Sequence, residues 1–207
     1  EEQVPMYDRN LLDESDSELA PAFIRAEEVL VSKYKAHVVQ FVNMREHVKG
    51  LVKRSREEKK NGTAWSQRLI VQIADFAQNL DMPHFGSEQP GDIYYFSPLG
   101  IYLFGIVSPY HGDNDLLFCQ YFTEGEGAKG GNNVLSLLWN SFKKDGFTER
   151  GERDGSMGEY ALIMDNCGGQ NKNRMVIRFL MLITEIGVFK KSSKVYLVRG
   201  QTKNACD

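Results

Sequence analysis

The sequence predicts an α/β protein: one mixed sheet of five strands, with a helical segment in front of it. Three observations lead there. First, runs rich in β-branched and aromatic residues begin only after residue 62, at Arg68–Phe76, Ile101–Val107, Asp115–Thr123, Tyr160–Asp165 and Lys194–Val198. Second, two stretches with an apolar helical side separate the last three of these runs. Third, the first and fourth runs end in carboxylates, Asp75 and Asp165.

The elements follow in order. Residues Glu1–Ala20 are acidic and aperiodic, which suits a disordered or loosely held arm. From Ala22 to Lys60 the pattern is helical: Val38, Phe41, Val42, Val48, Leu51 and Val52 fall near one face, with Arg45 as its polar exception. Lys53–Lys60 reads as a charged helix end or linker, and Asn61-Gly62 breaks it. The expected division is therefore an acidic arm and helix over 1–62 and a sheet domain over 63–207. After the first strand, Pro83, Pro90 and Gly91 mark a loop, and Ile93–Phe96 is a short extended piece. Ile101–Val107 and Asp115–Thr123 form a hairpin around the turn Tyr110–Asn114. Asn132–Lys144 is a helix with Val134, Leu137, Leu138, Ser141 and Phe142 on one side. Thr148–Gly158 reads as a charged, glycine-rich loop. The Asp165 strand leads into a mostly buried helix, Met175–Ile186, then the last strand, then a helix start from Thr202. The order is β-β-β-α-β-α-β with the last helix truncated, which is that of an RNase H-like fold. In that fold the ends of the first and fourth strands lie side by side.

Composition limits the function classes. A chain of 207 residues can bury one real core and carry an appendage. Nothing is long and apolar enough to span a bilayer, and no signal-peptide pattern opens the sequence. Three cysteines without paired spacing exclude a disulfide framework and a Cys-rich zinc module, and point to a reducing, intracellular compartment. The start at Glu1 and the stop just after Gly200–Asn204 read as a fragment of a longer protein. The net charge of −3 hides an asymmetry. Glu1–Glu28 holds nine acids against two bases, whereas Asn166–Cys206 holds eight bases against one acid. A locally basic half is compatible with nucleic-acid contact, and equally with a solvated helix face.

The most informative stretch is Tyr160–Asn173, YALIMDNCGGQNKN. It reads as a buried strand, a carboxylate, a glycine turn and a helix start. Gly168 and Gly169 permit a tight turn and close approach to a ligand. They do not form a P-loop, since the Gly-Lys-Ser/Thr ending is absent. Asp165 is either a site acid or a cap of its own turn, and Asp75 either a site acid or a turn former. Asp207 is either a third site acid or a plain first-turn acid favoured by the helix dipole. Lys172 and Arg174, near a helix start, and Lys203 are the candidate nucleic-acid contacts, or else solvent-exposed charges. Glu124 and Glu126 are alternatives as metal ligands or as a solvated loop.

Three segments carry a resemblance: Ala74–Asn79, Met164–Asn173 and Gly200–Asp207. They resemble a eukaryotic family of transposase-derived proteins, mostly described as domains of unknown function and similar to DDE transposases and integrases. The resemblance spans roughly Leu69–Asp207. It implies that Asp75, Asp165 and Asp207 form an acidic triad holding two Mg²⁺ or Mn²⁺ ions, that the substrate is DNA, and that the protein resides in the nucleus. Mg²⁺ takes hard oxygen ligands and is commonly held by one or two carboxylates plus substrate phosphates. Two ions roughly 4 Å apart can activate a nucleophile and stabilise the leaving oxygen of a phosphodiester. The third motif departs from the family's Gly-His-Thr run, because Gln201 stands where histidine would be. That favours the alternative of a catalytically inactive, domesticated relative acting as a nucleic-acid or protein binding module. A homo-oligomer through the Ala22–Lys60 helix is a further reading.

Overall fold

The structure, a computed structural model, describes residues 20–84, 91, 95–111, 115–154 and 156–198, with side chains from 25 onward except those of 151–154. The chain divides into two units, Glu1–Asn43 and Met44–Asp207, and helix α1 (Ala20–Lys60) runs through the division. In the first unit several of its described apolar side chains face solvent: Leu30 and Tyr34 are 65% and 67% exposed, and Val29, Val39 and Val42 about half exposed. The helix itself stops at the predicted break, where Gly62 takes a φ of 67° that other residues rarely adopt.

The second unit is mixed α/β around a six-stranded sheet. The strands are β1 (Leu69–Phe76), β2 (Leu80–Met82), β3 (Leu99–Ser108), β4 (Leu116–Thr123), β5 (Met157–Met164) and β6 (Phe189–Tyr196). β3 runs antiparallel to both β1 and β4, while β5 lies parallel between β1 and β6. β2 pairs with β3 through Leu80↔Ile101, next to the β1 register that ends at Phe76↔Phe104. Ile101 pairs with Thr123 of β4 at the same time, so β2 lies on the β1 side of β3 and extends the line of β1. The sixth strand, against an expected five, is thus a three-residue continuation of the first.

Three further differences have physical reasons. The stretch read as a charged loop contains helix α3 (Phe147–Asp154), held by Phe147, which is wholly buried among aromatic rings. Gly158, read as loop, lies inside β5, where it opposes the backbone of Arg68. The last strand begins at Phe189 rather than Lys194, because Lys190, Lys191 and Lys194 hide the alternation of an edge strand. Charged edges of this kind block pairing with other chains. Of the piece Ile93–Phe96, only Tyr95 and Phe96 are described, as turn and bend.

Both faces of the sheet are covered. Ile70, Ala74, Phe104, Ile106, Tyr160, Leu162 and Met164 pack beneath α2 (Gly131–Lys144), α3 and α4 (Arg174–Glu185). Phe142 is the hub there, with ring centroids of Tyr160, Phe147, Phe189 and Phe179 within 5.1–5.8 Å. Leu69, Val71, Ile73, Ala161 and Ile163 fill the other face against Met44, Val48, Leu51 and Val52 of α1. The charged helix end Lys53–Lys60 is bound to the sheet. Ser55 donates to Leu69 O (2.8 Å), Glu58 accepts from Leu69 N (2.6 Å), and Arg54 and Arg56 pair with Glu159 (3.1 Å) and Asp115 (2.5 Å).

Candidate functional site

The register of the two central parallel strands sets the site. Ala74 is the partner of Met164, so Asp75 and Asp165 follow at the same level on neighbouring strands, which lie about 4.8 Å apart in a sheet. Side chains alternate along a strand, and Ile73 and Ile163 both face α1. Asp75 and Asp165 therefore fall on that same face, at the C-terminal edge of the sheet. Both are half-buried, and both take the same pose. Asp75 Oδ1 accepts the Phe76 N–H at 2.8 Å, and Asp165 Oδ1 accepts the Asn166 N–H at 2.5 Å.

The loop after Asp165 is a built turn. Asn171 N–H and Lys172 N–H both donate to Cys167 O (2.8 and 2.7 Å). Asn173 caps α4 by accepting the Val176 N–H at 3.1 Å, and its own amide donates to Gln170 O at 2.9 Å. Gly168 and Gly169 have ordinary negative φ, and a Cβ on either would meet nothing within 4 Å. The turn does not depend on their being glycine. A Cβ on Gly131 would lie 2.9 Å from Asn173 Nδ2, so the first turns of α2 and α4 meet beside this loop.

Lysines stand at two places near these strand ends: beyond β1 and beside the loop after Asp165. Lys129, just before α2, donates to Ala77 O at 3.2 Å and lies 5.1 Å and 5.4 Å from the ring centres of Phe76 and Tyr102. Burial lowers the pKa of its amine, while the charge of Asp75 pulls it back up. On the far side of the loop, Lys172, Asn173, Arg174, Ile177, Arg178 and Tyr196 line an open groove of about 440 Å³. Lys172 and Lys194 stand 5.7 Å and 4.7 Å from the Tyr196 ring centre, and Lys194 donates to Asn171 O at 2.5 Å.

Of the residues expected at a site, Asp75 and Asp165 are brought together, and Lys172 and Arg174 share the groove. Asp207 and Lys203 lie outside the described residues. Among the described residues, no three carboxylate, histidine or cysteine groups cluster as metal ligands. Glu126 instead closes the turn after β4, where the backbone and hydroxyl of Thr123 lower its pKa. Sequence reasoning missed Lys129 and Arg178. Arg178 was within reach, because it stands four residues after Arg174 on one helix face. Lys129 sits in a glycine-rich loop whose path no local pattern reveals.

The structure thus defines an α/β protein with a carboxylate pair at the end of its central parallel strands. Residues 96–207, more than half of the chain, match the model of a family described as Domain of unknown function (DUF7869), and the chain belongs to that family. The matched region holds Asp165 and begins after Asp75. No curated protein matches the chain. No solved structure matches it either.

Proposed function

We propose that this chain is an RNase H-like domain of the transposase and integrase type, which cleaves or joins DNA phosphodiesters with Mg²⁺ or Mn²⁺. The observation that carries the proposal is the adjacency of Asp75 and Asp165 on parallel β1 and β5. Strand order supports it too: with β2 taken as the extension of β1, the sheet runs β4-β3-β1-β5-β6, the arrangement expected for that fold.

The donor set fits a hard divalent ion. Asp75 and Asp165 bring carboxylates to neighbouring strand ends, and Asp207 would add a third. Leu197 N–H donates to Met164 O at 3.0 Å, so the chain passes the end of β5 close to Asp165 as it leaves β6, ten residues before Asp207. When bound, two such ions supply activation of a water or 3′-hydroxyl nucleophile and stabilisation of the leaving oxygen. The residues of the chain do the rest. Asp75 and Asp165 hold and orient the site, with one oxygen of each fixed by a backbone N–H. Lys172, Arg174 and Lys203, joined by Arg178, take the DNA backbone phosphates, and a nuclear location goes with the transposase reading.

A nicking assay on supercoiled DNA with Mg²⁺ or Mn²⁺ tests the proposal. Cleavage by the wild type that disappears in Asp165→Asn and Asp75→Asn is the expected result. DNA binding without cleavage in any form would replace it with the second reading, a domesticated binding module. Gln201, at the family's histidine position, favours that reading.

A further inference from the structure

We infer that the free edge of β4 pairs with the β4 edge of a second copy of this chain, antiparallel and centred on Cys119. The two edge strands of the sheet differ. β6 carries Lys190, Lys191 and Lys194, whereas β4 (LLFCQYFT) has no charged residue and no proline. Charge and proline are common means of keeping an edge from pairing, and β4 has neither.

The register shows which groups face outward. Glu124 N–H donates to Gly100 O at 3.0 Å, and hydrogen-bonded positions alternate along an antiparallel pair. Leu116, Phe118, Gln120 and Phe122 therefore turn their N–H and C=O groups to β3, while Leu117, Cys119, Tyr121 and Thr123 turn theirs away. Glu126 closes the Thr123 end. Its carboxylate accepts the Thr123 N–H at 2.7 Å, and its own N–H donates to Thr123 O at 3.0 Å. Among the described residues nothing pairs with the outward groups of Leu117, Cys119 and Tyr121.

That remainder is self-complementary. With a two-fold axis at Cys119, this residue meets its own counterpart and Leu117 meets Tyr121 of the second copy, so every outward N–H finds a carbonyl. The three side chains share the α1 face, since Leu117 is the partner of Val107, and Tyr121 and Leu117 are 78% and 53% exposed. Pairing covers them against each other as an aromatic–aliphatic cross-strand contact. Just beyond this ladder, Glu126 of one copy comes beside Asp115 of the other, and Arg56, 2.5 Å from Asp115, supplies the balancing charge. That charge match singles out a second copy over an unrelated extended peptide. The ladder is short and buries well under the roughly 1,200 Å² of a stable complex, so the dimer forms only at high protein concentration.

Sedimentation velocity of the full chain, in a series up to about 1 mM, tests this together with cross-linking by a short bismaleimide in a Cys167→Ser, Cys206→Ser background. A concentration-dependent dimer that cross-links through Cys119 is expected. Leu117→Lys with Tyr121→Lys should weaken the dimer by about tenfold or more, since like charges then oppose each other across the ladder. Leu117→Lys with Tyr121→Glu should stay within about threefold of wild type, because these positions face each other only between copies. Both side chains are exposed, so an unchanged thermal transition at low concentration serves as the folding control. A dimer that does not cross-link at Cys119, or that the double lysine variant leaves intact, would overturn the inference, as would equal weakening by the two charge variants. A chain that stays monomeric throughout the series would overturn it as well, and leave the edge to an extended segment of another protein.

Discussion

Tyr160 donates its hydroxyl to Gln72 Oε1 at 2.9 Å, between two strands 88 residues apart in sequence, and both side chains are wholly buried. The amide of Gln72 passes the connection on, donating to Ser141 Oγ on α2 (2.9 Å) and to Asp145 Oδ2 just beyond it (3.3 Å). Tyr110 donates to the same Asp145 oxygen at 2.6 Å. Burial, with the charge of Asp145 added, pushes both tyrosine hydroxyls well above their ordinary pKa, so they remain donors. A polar chain thus runs through the larger apolar core and fixes α2 over β1 and β5, the strands that carry the acids.

Tyr160→Phe breaks that chain and leaves Gln72 Oε1 buried without its donor. The cost of such an orphan is about 1–3 kcal/mol, which in a chain of this size lowers Tm by roughly 2–4 °C per kcal/mol. Adding Gln72→Met removes the orphan, so the double variant should lose clearly less than the two single losses combined. Thermal unfolding of the three variants checks this. Simple additivity would mean that Tyr160 acts through packing alone.

Gly158→Ala should be among the most damaging small changes in the protein. A Cβ there would lie 2.7 Å from Arg68 N and 2.8 Å from Gln67 C, both backbone atoms. The strands cannot part to make room, because Glu159 N–H is bonded to Arg68 O at 2.9 Å. Overpacking of this kind costs about 1–3 kcal/mol or more, and the displaced strand is the one that ends at Asp165. Gly168→Ala, with open space around it, should stay within about 0.5 kcal/mol of wild type. Denaturant midpoints of the two variants make the comparison, and equal midpoints would contradict it.

The sequence disclosed those parts of the fold whose signals are local. β1 and β5 are almost continuously buried, so they read as short apolar runs, and the acids at their ends were visible as such. β6 was half hidden, because after the buried Phe189 the stretch Lys190-Lys-Ser-Ser runs along an edge and its two sides differ little in polarity. α3 was hidden for a related reason: its sequence is mostly charged and one residue, Phe147, anchors it. The charged end of α1 read as a helix end or linker because its partners, Glu159 and Asp115, are remote in sequence. The same holds at the site. Asp75 and Asp165 announce themselves through strand ends, whereas Lys129 reaches Ala77 by a loop path that only the fold determines.

Asn173 offers a graded test of the turn behind Asp165. It accepts the Val176 N–H at 3.1 Å and donates to Gln170 O at 2.9 Å, beside the start of α2 at Gly131. Asn173→Ala removes both bonds and should cost about 1 kcal/mol or somewhat more. Asn173→Asp keeps the acceptor at a helix N-terminus, where a negative charge is favourable, and should fall between wild type and alanine. Amide hydrogen exchange should show the loss concentrated at the first turn of α4. Uniform loss of protection across the sheet would assign Asn173 a global role instead.

Lys194 links stability to pH in a direction opposite to that of a surface lysine with an acidic partner. Burial pushes its amine down to about 8, although the bond to Asn171 O at 2.5 Å favours the charged form. In the unfolded chain the same amine titrates near about 10.4. Between those values the folded state carries fewer protons than the unfolded one, so stability rises with pH across the window. Below about 8 the folded protein bears the full cost of a half-buried charge. Lys194→Met removes both the cost and the rise. The Tm of wild type minus that of Lys194→Met should therefore grow from pH 8 to pH 10 and be level below pH 7, as read by thermal unfolding in a buffer series. A difference that stays flat, or that shrinks as pH increases, would show that the carbonyl of Asn171 outweighs burial and keeps Lys194 charged throughout.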